Sequence, residues 1–277
     1  MIRTALAILL LAALCGCVTD PVAPPVSNAV PVVIRPTEPA QDAVLRRAVC
    51  IGVSNTAGGG NPCPGTDTDA RTVAAWMRDR PITLLLDAAA TREGIMAAIR
   101  EATTGMDAAS LLTVSISGHG TQRRDTSGDE ADGMDEGLVL WDGVWWDDDV
   151  WAFIRTLPAC RVEIISDTCH SAGNWRVLTL GLGEPRYRQM EFDLGDDRRD
   201  EDWPGQLWQV AGCDEGGWSY GSPDGGTLTQ TLDRMRSDGI TRHRWFLATS
   251  AAMPLKQQPA VTTYNATDEF LHGEALK

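Results

Sequence analysis

Apolar residues along the chain come in short continuous runs, and between them lie stretches with apolar positions at helical spacing. Residues 48–53, AVCIGV, form one such run before a Gly/Asn/Pro-rich loop through Gly65, which predicts a buried strand. Residues 69–78 then place Ala70, Val73, Ala74 and Met77 on one face of a helix. Residues 82–86 read as a second strand. Thr91 is placed to cap a helix over 92–102, where Ile95, Ala98, Ile99 and Ala102 share a stripe. Residues 111–117, 162–166 and 207–212 read as the third, fourth and fifth strands. Strands alternating with helices predict an α/β fold: a mainly parallel sheet flanked by helices on both faces, a three-layer sandwich. In such sheets the chemistry gathers beyond the carboxyl ends of the strands. Tryptophans at 141, 145, 146 and 151 follow at a spacing that predicts packing onto the sheet.

The first residues have a different pattern. Met1-Ile2-Arg3 supplies a positive start, residues 5–14 are continuously apolar, and Leu14-Cys15-Gly16-Cys17 follows. The apolar stretch is too short for a stable membrane-spanning helix. With its ending it resembles a bacterial lipoprotein signal over 1–17, in which Cys17 is acylated and becomes the first mature residue. A plain secretory signal cleaved nearby is the alternative. Residues 18–42 carry prolines at 21, 24, 25, 31, 36 and 39, which favour extended polyproline geometry and read as a tether. The folded domain is expected over 43–277. These features predict a bacterial cell envelope protein, on the outer membrane or its periplasmic face, touching the membrane through the N-terminal lipid only.

Charge and cysteine content narrow the partners. The net charge of −14 excludes a nucleic-acid role. Seven cysteines, two of them in the leader, leave Cys50, Cys63, Cys160, Cys169 and Cys213, an odd number without a CxxC pair. No zinc site is predicted. One thiol is expected to serve chemistry while others pair or stay buried.

Two strand ends carry the candidate chemistry. The third strand runs out in Ser117-Gly118-His119-Gly120, and the fourth in Asp167-Thr168-Cys169-His170-Ser171. On neighbouring strands, His119 and Cys169 face each other across one crevice as nucleophile and proton partner. Glycines beside His119 let a substrate backbone come close, and the Gly120 and Cys169 amides are placed to donate to an oxyanion. His170 competes for the base role, but adjacent side chains on an extended segment point apart.

"SISGHGTQ", "DEADGMDEGLV" and "DTCHSAG" resemble the caspase-like clan of cysteine peptidases, in particular the metacaspases and their bacterial relatives. "RRAVCIGVSNT", "PGTDTDARTVAAWM" and "QVAGCDEGGWSYGSPDGGTLTQTL" extend the resemblance over residues 46–235. Thr168 and Ala172 are small departures, and the segment 175–203 matches poorly. The resemblance implies a caspase-like fold and a cysteine endopeptidase with a His119/Cys169 dyad. It also implies that Asp69, Asp167 and Asp214 line an acidic pocket, which would favour cleavage after Arg or Lys in protein or peptide substrates. A hydrogen-bonded loop acid is the alternative for Asp167. No cofactor is required, with calcium a candidate activator. The run 193–202 could supply a calcium site, whereas "DTSGDEADGMDE" has Glu130 where an EF-hand loop needs Gly. Asp132-Gly133 and Asp135-Glu136 read instead as turns and caps. Two rival functions stay open: an inert caspase-like peptide-binding or scaffold module, and a cysteine hydrolase acting on cell-wall peptides.

Overall fold

The computed structural model describes residues 29–36, 44–126, 133–168, 203–213 and 218–276. The chain opens with β1 (Val32–Ile34), β2 (Arg46–Gly52), α1 (Thr66–Trp76), β3 (Ile82–Leu86), α2 (Arg92–Thr103) and β4 (Leu111–Ser117). A small antiparallel sheet of β5 (Gly120–Arg124), β6 (Met134–Leu140) and β7 (Gly143–Trp146) leads into α3 (Asp147–Ile154). Then come β8 (Arg161–Asp167), β9 (Gln206–Ala211) and a short hairpin, β10 (Gly221–Ser222) and β11 (Gly225–Gly226). The chain continues through α4 (Thr227–Met235), α5 (Arg242–Ala252), β12 (Ala260–Tyr264) and α6 (Asp268–His272).

The central sheet has the order β1-β3-β2-β4-β8-β9-β12. Its five inner strands are parallel, and β1 and β12 are antiparallel at the two edges. β4 is buried at every position because it lies between two strands and under helices on both sides. Alternation splits the core. Val49, Ile51, Val114, Ile116 and Ile164 point toward α2 and α3, with the β6–β7 residues Leu138 and Trp145 beside them. Ala48, Cys50, Ile165, Trp208 and Val210 point toward α1, α4, α5 and α6. The expected three-layer α/β sandwich is therefore present.

Local chemistry explains the ends of the helices. The Thr91 side chain accepts from the Gly94 N–H at 3.0 Å and caps α2, as its sequence position predicts. α1 starts at Thr66 rather than 69, with Gly65 at φ +93° as its cap residue. Only glycine suits that site: a Cβ there would lie 2.1 Å from the Ser222 carbonyl oxygen. Val32–Ile34, within the proline-rich stretch, pair with β3 and so extend the sheet by a strand that the proline content hides. Trp145 and Trp151 do pack inward, on Phe153 and Tyr264, but Trp145 and Trp146 lie on β7 rather than on a helix. No helix among the described residues is long and apolar enough to cross a membrane.

Candidate active site

β4 and β8 are hydrogen-bonded neighbours, in a register that pairs Ser117 with Asp167. The two segments expected to hold the dyad therefore leave the sheet side by side. His119 follows β4 and is half-buried. Its Nε2 lies 2.9 Å from the carbonyl oxygen of Asn61, which can only accept, so Nε2 carries the proton and Nδ1 is left as the basic nitrogen. The His119 carbonyl accepts from the Val139 N–H at 3.0 Å, tying the ring's backbone to β6. Gly120 begins β5, opposite Leu138. At Gly118 the nearest neighbour to an added Cβ would be Val53 Cβ at 3.4 Å, so the described residues leave that backbone approachable. Cys169, His170, Asp214, Cys17 and the run 193–202 lie outside the described residues.

Asp69 and Asp167 come together on the α1/α4 side of these strand ends. Asp69, in the first turn of α1, is 3% exposed, and Asp167, closing β8, is 6% exposed. The Ser117 hydroxyl donates to Asp69 at 2.6 Å, and the Gly226 N–H reaches both its oxygens at 2.9 Å. Asp167 accepts from the Ser219 hydroxyl at 2.6 Å, the Thr229 N–H at 2.9 Å and the Thr229 hydroxyl at 3.0 Å. The Gly225–Gly226 backbone runs between the two carboxylates. A Cβ at Gly225 would fall 2.5 Å from Asp69 Oδ1, and one at Gly226 2.1 Å from Asp167 Oδ2. Every donor to this pair is a hydroxyl or an amide, and no ion pair among the described residues neutralises either acid. Burial raises the pKa of Asp167 against the pull of its donors. Burial, together with the Asp167 charge, pushes Asp69 up to about 7.

Sequence reasoning missed the partners of His119 and of these acids. Ser117 carried a readable signal, since Thr113, Ser115 and Ser117 alternate with Val114 and Ile116 and mark a hydroxyl-bearing face. Asn61, acting through its carbonyl, and Ser219, Thr229 and Gly226, acting from far along the chain, carried none.

Two of the other thiols, Cys50 and Cys160, are core residues. Burial pushes Cys50 and Cys160 up to about 12, so neither supplies thiolate near neutrality. No disulfide joins any two of the four described cysteines, and of the two expected fates, pairing or burial, Cys50, Cys160 and Cys213 show burial. Cys213 is buried with its Sγ 3.6 Å from the Thr168 carbonyl oxygen.

A second acidic group lies on β6 and the start of α3. Carboxylate oxygens of Asp135, Asp147 and Asp148 all fall within 4.8 Å of one another. Asp135 and Glu136 are thus strand residues of β6, not turn and cap residues: Arg123 Nε donates to Asp135 at 2.7 Å and Gln122 Nε2 to Glu136 at 2.8 Å. Asp135 is wholly buried, and its Oδ1 has no hydrogen-bond partner among the described residues.

Residues 46–177 match the family described as "Metacaspase, peptidase C14 domain". The chain is 35% identical over 144 residues to Metacaspase-1 of Cryptococcus neoformans, covering 46% of this chain and 31% of that protein. It is 32% identical over 162 residues to Metacaspase-4 of Arabidopsis thaliana, covering 53% of this chain and 38% of that protein. The crystal structure of a Geobacter sulfurreducens protein superposes with a TM-score of 0.67 at 25% identity, covering 84% of this chain and 98% of the other. Caspase-1 of Spodoptera frugiperda shares the fold at a TM-score of 0.51 and 14% identity, covering 80% of this chain and 88% of the other. Residues 46–177 are thus similar to the metacaspase peptidase C14 domain, and the fold is caspase-like. Members of the family are cysteine-type endopeptidases. The chain spans about a third of the length of the curated relatives it matches, 31% and 38% for the two named. Within residues 46–177 the two strand ends expected to carry the dyad are adjacent, and two of the three expected pocket acids are neighbours.

Proposed function

We propose that the protein is a cysteine endopeptidase that cleaves after Arg or Lys, with Cys169 as nucleophile and His119 as its proton partner. The supporting observation is a pair of buried acids, Asp69 and Asp167, held by neutral donors without a counter-cation among the described residues, near the strand end that leads to His119, with Asp167 two residues before Cys169. An ionised carboxylate in that setting lowers its free energy by accepting a cation, and an arginine or lysine side chain of a substrate brings one.

The steps follow from the groups present. The Cys169 thiolate adds to the scissile carbonyl, forming a C–S bond, and the Gly120 and Cys169 amides donate to the developing oxyanion. The C–N bond breaks as the His119 imidazolium gives its proton to the leaving amine. Water then attacks the acyl-enzyme, the neutral imidazole takes a proton from it, and the acid product leaves as the thiolate is regenerated. The Asn61 carbonyl holds the ring by Nε2–H so that Nδ1 serves these transfers.

Calcium is proposed as an activator held by Asp135, Asp147 and Asp148 rather than by the run 193–202. Their three carboxylates fit a hard cation, and the unpartnered, buried Asp135 Oδ1 supports the fit. Bound there, the ion would supply positive charge joining β6 to the start of α3. Lipidation at Cys17 and a place at the bacterial envelope complete the reading.

The test is hydrolysis of Arg-, Lys-, Asp- and uncharged-ending fluorogenic peptides by the full chain, Cys169→Ala and Asp167→Asn, under reducing conditions with and without calcium. The reading expects turnover after Arg or Lys, none in Cys169→Ala, and a lost basic preference in Asp167→Asn. An intact preference in Asp167→Asn would make that residue a hydrogen-bonded loop acid only. Silence of the wild type on every peptide would transfer the case to a binding module or a cell-wall substrate.

A further inference from the structure

We infer that Gln257 is a positioning residue for the basic-side-chain pocket, fixing the segment 218–222 so that the Ser219 hydroxyl is aimed at Asp167. The inference rests on the reading of Asp167 given above. Gln257 lies in the turn between α5 and β12, outside residues 46–177. It is 1% exposed and its side-chain amide is fully engaged. Nε2 donates to the Gly212 carbonyl at 3.0 Å and to Ser219 Oγ at 2.9 Å, while Oε1 accepts from the Tyr220 N–H at 2.9 Å. Ser219 has one proton to give and gives it to Asp167 at 2.6 Å. The serine therefore accepts from Gln257 and donates to Asp167, and Gln257 sets the direction of the relay.

The residue type is demanded by the partners. A carbonyl and an already-donating hydroxyl need two donors, and the Tyr220 amide needs an acceptor; a primary amide offers both within one planar group. A carboxylate at 257 would lose both donors, and an aliphatic side chain all three bonds. Two further features serve the same relay. Gly212 lets Ser219 pass, since a Cβ at 212 would lie 2.6 Å from Ser219 Oγ. Lys256, adjacent to Gln257, places Nζ 4.2 Å from the centre of the Tyr220 ring. Successive side chains of one turn thus grip successive residues of the segment. Ser219 is turned inward while Trp218 and Tyr220 stay exposed, at 63% and 41%.

Without Gln257 the Ser219 hydroxyl is no longer directed, and Asp167 loses a donor that favours its charged form. The pocket acid then protonates at higher pH and holds a basic side chain less well. The decisive experiment is steady-state kinetics of the full chain from acid to alkaline pH on Arg-ending and uncharged-ending peptides, with thermal unfolding of each variant. Gln257→Leu, Gln257→Glu, Ser219→Ala, the Gln257→Leu/Ser219→Ala double variant and Asp167→Asn are compared with wild type. We expect the single variants at 257 and 219 to raise KM for the Arg peptide by about tenfold, the effect of one lost bond to a charged group. Their kcat is expected to hold, and the acid limb of kcat/KM for that peptide is expected to move to higher pH. Hydrolysis of the uncharged peptide should hold, and the double variant should be no worse than either single one. Parallel losses on both peptides with lowered Tm, an unmoved pH limb, or additive effects would make Gln257 a packing residue and overturn the inference. Should Gln257→Leu fail to fold, Gln257→Glu and Ser219→Ala carry the same readouts. Asp167→Asn separates the two readings: if it keeps the Arg preference, the pocket assignment itself fails. If Asp167→Asn loses the preference while the 257 and 219 variants match wild type, only the role of Gln257 fails.

Discussion

Asp69 is an acid whose surroundings resist its ionisation. Its pKa of about 7, set by burial first and the neighbouring Asp167 charge second, lies above that of the unfolded chain. A raised carboxylate pKa means that the folded state binds the extra proton, so Asp69 favours the fold fully below the unfolded pKa of roughly 4 and loses that contribution as pH rises through about 7. Asp69→Asn has no such titration. Denaturant unfolding should therefore show the variant gaining on wild type between pH 5 and 8, by on the order of a few kcal/mol. A pH-independent difference would disprove the raised pKa. The same variant should lose cleavage after Arg at pH 8, because it removes the charge that disfavours the fold. His119 gives a second test. Asn61 acts through its main-chain carbonyl, so Asn61→Ala should keep kcat/KM within about twofold, whereas His119→Ala should lose about 10²-fold or more. A large loss in Asn61→Ala would mean that the side chain, not the carbonyl, serves the ring. At this scale His119 was legible because an imidazole between glycines at a strand end is chemically conspicuous, whereas Asp69 and Asp167 entered only through the family resemblance. A carbonyl has no letter in the sequence, and Gln257 reaches Ser219, the donor to Asp167, only once the end of β9 and the 218–222 segment are folded against each other.

At the scale of elements, legibility followed burial. β2, β3, β4, β8 and β9 are covered on both faces and read as apolar runs, while α2 combined a clean stripe with a Thr cap. β6 escaped notice because Asp135 and Glu136 look like loop residues until Arg123 and Gln122 are found opposite them. That buried polar ladder is also where calcium would act. Arg123 satisfies Oδ2 of Asp135 while its guanidinium stacks 4.1 Å from the centre of the Trp146 ring. Oδ1 has no hydrogen-bond partner among the described residues, and one carboxylate oxygen each of Asp135, Asp147 and Asp148 lie within 4.8 Å of one another. A cation binding there ties β6 to α3 and stabilises the fold by about 2.7 kcal/mol at a hundredfold excess over Kd. Calcium should accordingly raise the Tm of the full chain by several degrees, and Asp135→Asn should remove most of that rise. Magnesium, which demands tighter octahedral geometry, should do less. An identical calcium shift in wild type and variant would remove the site from this cluster.

For the molecule as a whole, the alternation of strands and helices was enough to predict the layered sheet, whereas the proposed attachment to a surface rests on the N-terminal sequence alone. A net charge of −14 gives the protein no general attraction to anionic lipid, so electrostatics alone would keep it off a bacterial membrane. The proposed location thus depends on covalent lipid at Cys17. One acyl chain binds a bilayer only marginally, while two or more hold a protein durably, which makes the outcome sharply dependent on that one sulfur. Expressed in a bacterium, the full chain should sediment with membranes, resist extraction by high salt, yield to detergent and incorporate labelled fatty acid. Cys17→Ser should incorporate none and leave the membrane fraction. If instead the variant stays on the membrane, another segment holds it. If wild type is soluble and unlabelled, residues 1–17 act as a plain secretory signal, and the catalytic domain works free of any surface.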